Sequence, residues 1–156
     1  MDRRTMLRMA AAGAASVALP ARAAALPGVR VFKSPTCGCC TGWVEHLREQ
    51  GFTVAVEDVG NLAARARLGI SEKLGSCHTA EVAGYAIEGH VPATDIKRLL
   101  ASRPRARGLA VPGMPIGSPG MESGDRRDAY EVLLVRLDGS TSVFASYPAA
   151  PARKST

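Results

Sequence analysis

The stretch from Val29 to Glu57 constrains the fold more than any other, because it reads as strand, turn, helix and strand with almost nothing to spare between them. Val29 to Lys33 (VRVFK) is a short β-type run, and Ser34-Pro35-Thr36 breaks it. From Thr41 onward Trp43, Val44 and Leu47 recur at helical spacing, with Glu45, Arg48 and Glu49 on the other side and Gln50-Gly51 as a stop. Thr53 to Glu57 (TVAVE) then alternates as a second strand. The result is a βαβ unit whose first turn carries Cys37-Gly38-Cys39-Cys40.

The remaining elements extend this unit. Asn61 can cap a helix through Leu68, and Ile70 to Leu74 continues as a further short helical turn. Ala80 to Glu88, with Val82, Tyr85 and Ile87, predicts a third strand, and Gly89-His90-Val91 turns the chain. Pro92 near the first helical position and Asp95 in the first turn predict a helix reaching Ser102. Residues 103–128 read as one long irregular loop, broken by Pro104, Pro112, Pro115 and Pro119. Tyr130 to Leu137 and Thr141 to Tyr147 form a hairpin through Asp138-Gly139. This order predicts an α/β chain with a thioredoxin-like fold: a mixed sheet, a long Met/Pro/Gly loop and a C-terminal β-hairpin. The domain runs over 24–147, and residues 148–156 (PAAPARKST) form a disordered tail.

Residues 1–23 read as an export signal: a basic start, an apolar stretch of 11 residues from Met9 to Leu19, then Pro20 and Ala21-Arg22-Ala23, with cleavage after Ala23. As a helix that stretch spans only about 16 Å, short of the roughly 30 Å of hydrocarbon in a bilayer, so no membrane anchor is expected after cleavage. Asp2-Arg3-Arg4-Thr5-Met6-Leu7-Arg8 is similar to a twin-arginine signal, which places the protein in the periplasm. Without the leader the net charge falls from +6 to +3, and there is no basic stripe interleaved with aromatics, so nucleic acid is excluded as a partner.

In an oxidising compartment four cysteines could staple a fold, but a domain of about 133 residues does not need staples, and three of the four are crowded together. Cys37 and Cys40 have C-x-x-C spacing at a helix start, where unpaired backbone N–H groups favour thiolate, so this pair is the candidate for redox catalysis. Cys39 between them is one thiol too many for a simple dithiol and points to a soft metal: Cu(I) first, with zinc less favoured. Cys77-His78, placed before the third strand, should face the cysteine turn and add a fourth sulfur and an imidazole. A Cys39–Cys77 bridge is the alternative use of that sulfur. Met114 and Met121, each following Pro-Gly, offer thioethers suited to Cu(I), or else fill the core beneath the loop. His90 is read as a turn residue with a metal role left open, His46 as a solvated residue on the polar side of the first helix, and Trp43 as core.

Cys37-x-Cys39-Cys40, Cys77-His78-Thr79-Ala80, Gly84-Tyr85 through Gly89-His90-Val91-Pro92, and the run from Gly108 through Pro112-Gly113-Met114-Pro115 to Pro119-Gly120-Met121-Glu122 together resemble the small periplasmic copper-resistance proteins of the CopG type, over residues 29–147. The resemblance implies copper bound by Cys37, Cys39, Cys40 and Cys77 with histidine participation, and interconversion of Cu(I) and Cu(II) coupled to thiol and disulfide. Periplasmic copper-handling proteins would then be partners. Two other functions compete with this one: a thiol-disulfide oxidoreductase acting on protein substrates through Cys37 and Cys40, and a passive copper carrier.

Overall fold

The computed structural model describes residues 25–150, so the leader assigned to 1–23 and residues 151–156 of the expected tail lie outside the described residues. β1 (Val29–Lys33) leads into α1 (Gly38–Glu49) and β2 (Val54–Glu57). Then come α2 (Leu62–Arg67), a 3-10 turn (Glu72–Leu74), β3 (His78–Val82), β4 (Tyr85–Glu88) and α3 (Ala93–Ser102). β5 (Ala106–Ala110), β6 (Tyr130–Arg136) and β7 (Thr141–Tyr147) complete the order. The strands form one mixed sheet in the order β2-β1-β3-β4-β5-β6-β7. β1 pairs parallel with β2 and β4 parallel with β5; every other pairing is antiparallel. Parallel neighbours cannot be joined by a tight turn, and α1 and α3 are the crossovers that join them.

Side-chain alternation along the central strands separates two apolar clusters. Ile87 and Leu109 pack with Trp43, Val44 and Leu47 of α1 and Ile96 and Leu99 of α3. Their neighbours Ala86 and Ala110 pack with Ile70 and Val135 in a second, smaller cluster. Each fully buried large apolar side chain contributes about 1.5–3 kcal/mol. Trp43 is wholly buried and its indole N–H donates to the Val91 carbonyl at 2.8 Å, so its one polar atom is satisfied. Among the described residues no helix is long and apolar enough to cross a membrane.

The α/β class, the mixed sheet and the terminal hairpin agree with the sequence reading, and four local expectations are corrected. The single strand expected over 80–88 is a hairpin, β3 and β4, reversed by Ala83 and Gly84 at φ 48° and 84°; two positive φ values suit the right-handed twist of paired strands. The long irregular segment starts later than expected, because Ala106–Ala110 forms a strand between β4 and β6. Asn61 occupies the residue before α2 but makes no cap bond; its side chain reaches the Ser76 carbonyl and the Thr79 hydroxyl, both at 3.2 Å. α2 stops at Arg67, and of 70–74 only Glu72–Leu74 is helical. Beyond β7 Ala150 exchanges hydrogen bonds with Arg127, both at 2.9 Å.

Gly108 explains how β5 fits. A Cβ there would stand 1.7 Å from the Ala86 carbonyl oxygen of the neighbouring strand. Gly139, in the β6–β7 turn at φ 86°, has open space around it. Gly108→Ala is therefore expected to lower unfolding free energy by about 3 kcal/mol through overpacking, and Gly139→Ala by about 1 kcal/mol through backbone strain alone. Urea denaturation of both variants checks this, and equal losses would contradict the packing argument.

Candidate metal centre

The sheet brings the sequence-distant site residues to one end. β1 and β3 are antiparallel with Lys33 opposite His78, so the chain leaving β1 toward Cys37 and the chain entering β3 through Cys77 emerge side by side. Thr79 pairs with Glu88, and Gly89 N–H donates to the His78 carbonyl at 3.0 Å, which delivers His90 to the same place. Val111 N–H donates to the Glu88 carbonyl at 2.9 Å, so the Met/Pro/Gly segment also departs from this end.

Cys37 is the residue before α1, with extended backbone, and Cys39 and Cys40 lie in the first turn. Cys37 and Cys40 are joined by a disulfide, while Cys39 and Cys77 are free thiols. Cys39 Sγ lies 3.5 Å from Cys37 Sγ and 3.7 Å from Cys77 Sγ. Cys40 is wholly buried, and its sulfur is 3.6 Å from the Cys77 carbonyl oxygen. All four sulfurs fall within 4.8 Å of one another. The two candidate uses of Cys39 are thus both in reach: it touches the disulfide on one side and the lone downstream thiol on the other.

A second group, Cys77, His78 and His90, satisfies the same distance limit and shares Cys77 with the first. His90 Nδ1 is 2.8 Å from the Pro119 carbonyl, which can only accept, so Nδ1 carries the proton. In the neutral ring Nε2 then presents a lone pair to Cys77 Sγ at 3.1 Å. His78 Nδ1 lies 3.4 Å from the same sulfur, and its Nε2 is a buried atom with no hydrogen-bond partner. The His78 ring packs between Trp43 and His90, with centroids 4.3 and 4.9 Å away.

Burial discharges this pocket. It pushes the Cys77 thiol up to about 12, an effect reinforced by neighbouring Cys39. It pushes His78 down to about 3, helped by the charge His90 would carry. His90 is also lowered, chiefly by burial, with the Pro119 bond and Glu122 opposing. At neutral pH the pocket holds a protonated thiol and two neutral imidazoles. Such a set suits a cation that can displace the thiol proton and occupy the lone pairs of the ring nitrogens that face Cys77 Sγ, His90 Nε2 and His78 Nδ1.

The segment after β5 covers the centre by close backbone approach. A Cβ on Gly120, at φ 84°, would come within 2.6 Å of both the Cys39 carbonyl and the Trp43 nitrogen. Pro119-Gly120 thus lies directly on the first turn of α1. Met121 follows and is half-buried. Met114 is 52% exposed and lines an open cleft with Pro112, Pro115, Asp128 and Tyr130, among whose lining residues there is no cysteine. The two methionines therefore occupy different surroundings.

His46, expected to be solvated, is instead half-buried, and its Nε2 accepts the Ala93 N–H at 3.1 Å, capping the start of α3. Helical spacing alone put it on the polar face; the neighbouring helix start leaves no mark in α1's own sequence. Also unforeseen were the Pro119 carbonyl, which has no side chain to signal it, and buried Glu88, whose position at the end of an otherwise apolar strand was the available clue.

Two solved structures are similar over nearly their full lengths. "Copper resistance protein copG, Form 1" is 46% identical, with a TM-score of 0.74, covering 79% of this chain and 98% of its own. Form 2 is 47% identical, with the same TM-score, covering 79% and 99%. The chain belongs to the CopG family of copper resistance proteins. A family described as "Protein of unknown function, DUF411" matches residues 74–121, a span that holds Cys77, His78, His90, Met114 and Met121 of this CopG-family chain. No curated protein matches it.

His46, His78 and His90 all hold protons less tightly folded than unfolded. Their contribution to stability is therefore complete above the unfolded value near 6.5 and is lost as pH falls below it. From pH 6.5 to 5 the loss from His78 alone is on the order of 2 kcal/mol. Urea unfolding of the metal-free protein at pH 7.5 and 5.0 should show that decline, and His46→Gln, which keeps an acceptor but cannot titrate, should lessen it. A profile flat across this window would contradict the burial argument.

Proposed function

We propose that this protein is a periplasmic copper-binding protein of copper resistance, which takes Cu(I) into a pocket formed by Cys37, Cys39, Cys40 and Cys77 with His78 and His90 as nitrogen donors. The observation that carries the reading is the sharing of Cys77 by an all-sulfur group and a Cys/His₂ group, which makes one continuous soft surface. Thiolate and thioether sulfur select Cu(I) over harder divalent ions, and imidazole accepts both copper states. The solved relatives named as copper resistance proteins support copper over zinc. Residues 1–23 supply the export signal. Met121, next to the Gly120 that lies against the first turn of α1, acts as an outer thioether for the incoming ion, and partners are periplasmic copper-handling proteins.

Cys37 and Cys40 are the redox pair. Reducing their disulfide takes two electrons and two protons, so two Cu(I) ions become Cu(II) for each disulfide opened, and the reverse reaction reduces two Cu(II) ions. Cys39, 3.5 Å from Cys37, lies within contact of the disulfide through which those electrons pass. The open Cys39–Cys77 pair at 3.7 Å leaves two thiols ready for metal while the other pair is oxidised. The second reading, a thiol-disulfide oxidoreductase on protein substrates, draws on the same disulfide, because Cys37 is partly exposed at a helix start. Passive carriage of copper differs from both in predicting no change of oxidation state on delivery.

Anaerobic titration of the reduced protein with Cu(I), against a competing chelator, separates these readings. Cys77→Ser should weaken binding beyond the roughly 10–100-fold typical of outer-sphere losses, and by more than Cys39→Ser, which removes a donor from one group only. Parent-like affinity in Cys77→Ser, together with turnover of protein disulfides by the metal-free protein, would favour the oxidoreductase.

A further inference from the structure

Ser76, the residue before Cys77, is held from several directions. Its N–H donates to Glu88 Oε1 at 2.8 Å, and its carbonyl accepts from Arg65 Nη2 at 2.6 Å and from Asn61 Nδ2 at 3.2 Å. Its hydroxyl donates to the Gly113 carbonyl at 2.6 Å. Glu88 is wholly buried and Arg65 nearly so; they pair at 2.9 Å, and the second Glu88 oxygen accepts from Thr79 at 2.6 Å. Gly89 permits this closeness, since a Cβ there would stand 2.6 Å from Ser76 Cβ and 2.5 Å from the Val111 carbonyl.

We propose that the buried Arg65–Glu88 pair is a positioning device for Cys77, gripping both backbone polar groups of Ser76 so that the next thiol stands within reach of Cys39 and His90. The geometric part stands on its own; its consequence for copper rests on the function proposed above. Stability alone does not account for the pair, because a buried ion pair can often be exchanged for apolar side chains of similar volume without loss of stability. What an apolar pair cannot supply is an acceptor for Ser76 N–H and the charged donor 2.6 Å from its carbonyl, which would keep only Asn61 Nδ2 at 3.2 Å. Outside the cysteine and histidine cluster, the Cys77 sulfur meets only the hydroxyl of Ser76 itself, at 3.9 Å, among the described residues, so the direction of its Cα–Cβ bond is set by this preceding residue.

The test compares the full-length parent with Glu88→Gln and with the double variant Arg65→Met/Glu88→Leu. Two quantities are read besides the melting temperature: Cu(I) affinity by chelator competition, and, in the metal-free protein, the fraction carrying a Cys39–Cys77 disulfide at a fixed ratio of glutathione disulfide to glutathione. Each bridge formed consumes one glutathione disulfide and releases two glutathione molecules. The double variant should melt below the parent, because Ser76 N–H and the Thr79 hydroxyl lose the Glu88 acceptor, and should bind Cu(I) about 10–100-fold more weakly and bridge about tenfold less, with Glu88→Gln, which keeps an acceptor for Ser76, between the two. Parent-like affinity and bridging in the double variant would overturn the proposal. Should the double variant not fold, Glu88→Gln decides by the same two readouts. Should the parent itself fail to bind Cu(I), the copper function falls, and the metal-free bridging comparison still decides the positioning role.

Discussion

The antiparallel pairing of β1 with β3 is the constraint on which the rest depends. Setting Lys33 opposite His78 puts the C-terminal end of one strand beside the N-terminal end of the other. The cysteine-bearing start of α1 and the Cys77-His78 step therefore meet although they are 37 residues apart at the nearest, between Cys40 and Cys77. Hairpin pairing of β3 with β4 adds His90, and parallel pairing of β4 with β5 sends the covering segment out from the same end. A one-residue slip between β1 and β3 would turn Val29 and Val31 away from the core cluster they occupy, so the register that assembles the site is enforced by the burial that stabilises the fold.

Burial also sets the chemical state of the site. Cys77 is held as a thiol and His78 and His90 as neutral rings, so the pocket carries little charge of its own and its donors are masked by a proton rather than by water. A cation that binds there must displace that proton. A soft ion with a strong preference for sulfur does so more readily than a hard one, whose hydration shell would have to be stripped for donors it binds weakly. The Pro119 carbonyl takes part by fixing the His90 tautomer, and the backbone contact of Gly120 on α1 holds that carbonyl in place.

Much of this was legible in the chain because it is local. The β1–α1–β2 unit follows from contiguous periodicities, and the terminal hairpin from Asp138-Gly139, where the Asp138 carboxylate accepts from the Ser140 N–H at 2.9 Å. The crowding of Cys37, Cys39 and Cys40 and the Cys-His step at 77–78 pointed to the candidate site. What stayed hidden depends on neighbours distant in sequence. The β3–β4 reversal rests on one glycine beside an alanine of unusual backbone, and β5 is masked by flanking prolines and arginines. His46 and Asn61 were read by helix position and cap preference, yet each bonds to a segment remote in the chain. The role of His90 rests on the Pro119 carbonyl, 29 residues away in the chain, which directs its free nitrogen toward Cys77.

The central claim, that sulfur from two separated stretches and imidazole nitrogen form one copper pocket, is tested most directly by X-ray absorption at the copper edge on the Cu(I)-loaded, reduced protein. The account predicts a mixed shell of sulfur and nitrogen donors, with the sulfur count falling when Cys77 is replaced by serine. A shell containing only oxygen and nitrogen, or a sulfur count indifferent to Cys77, would contradict it.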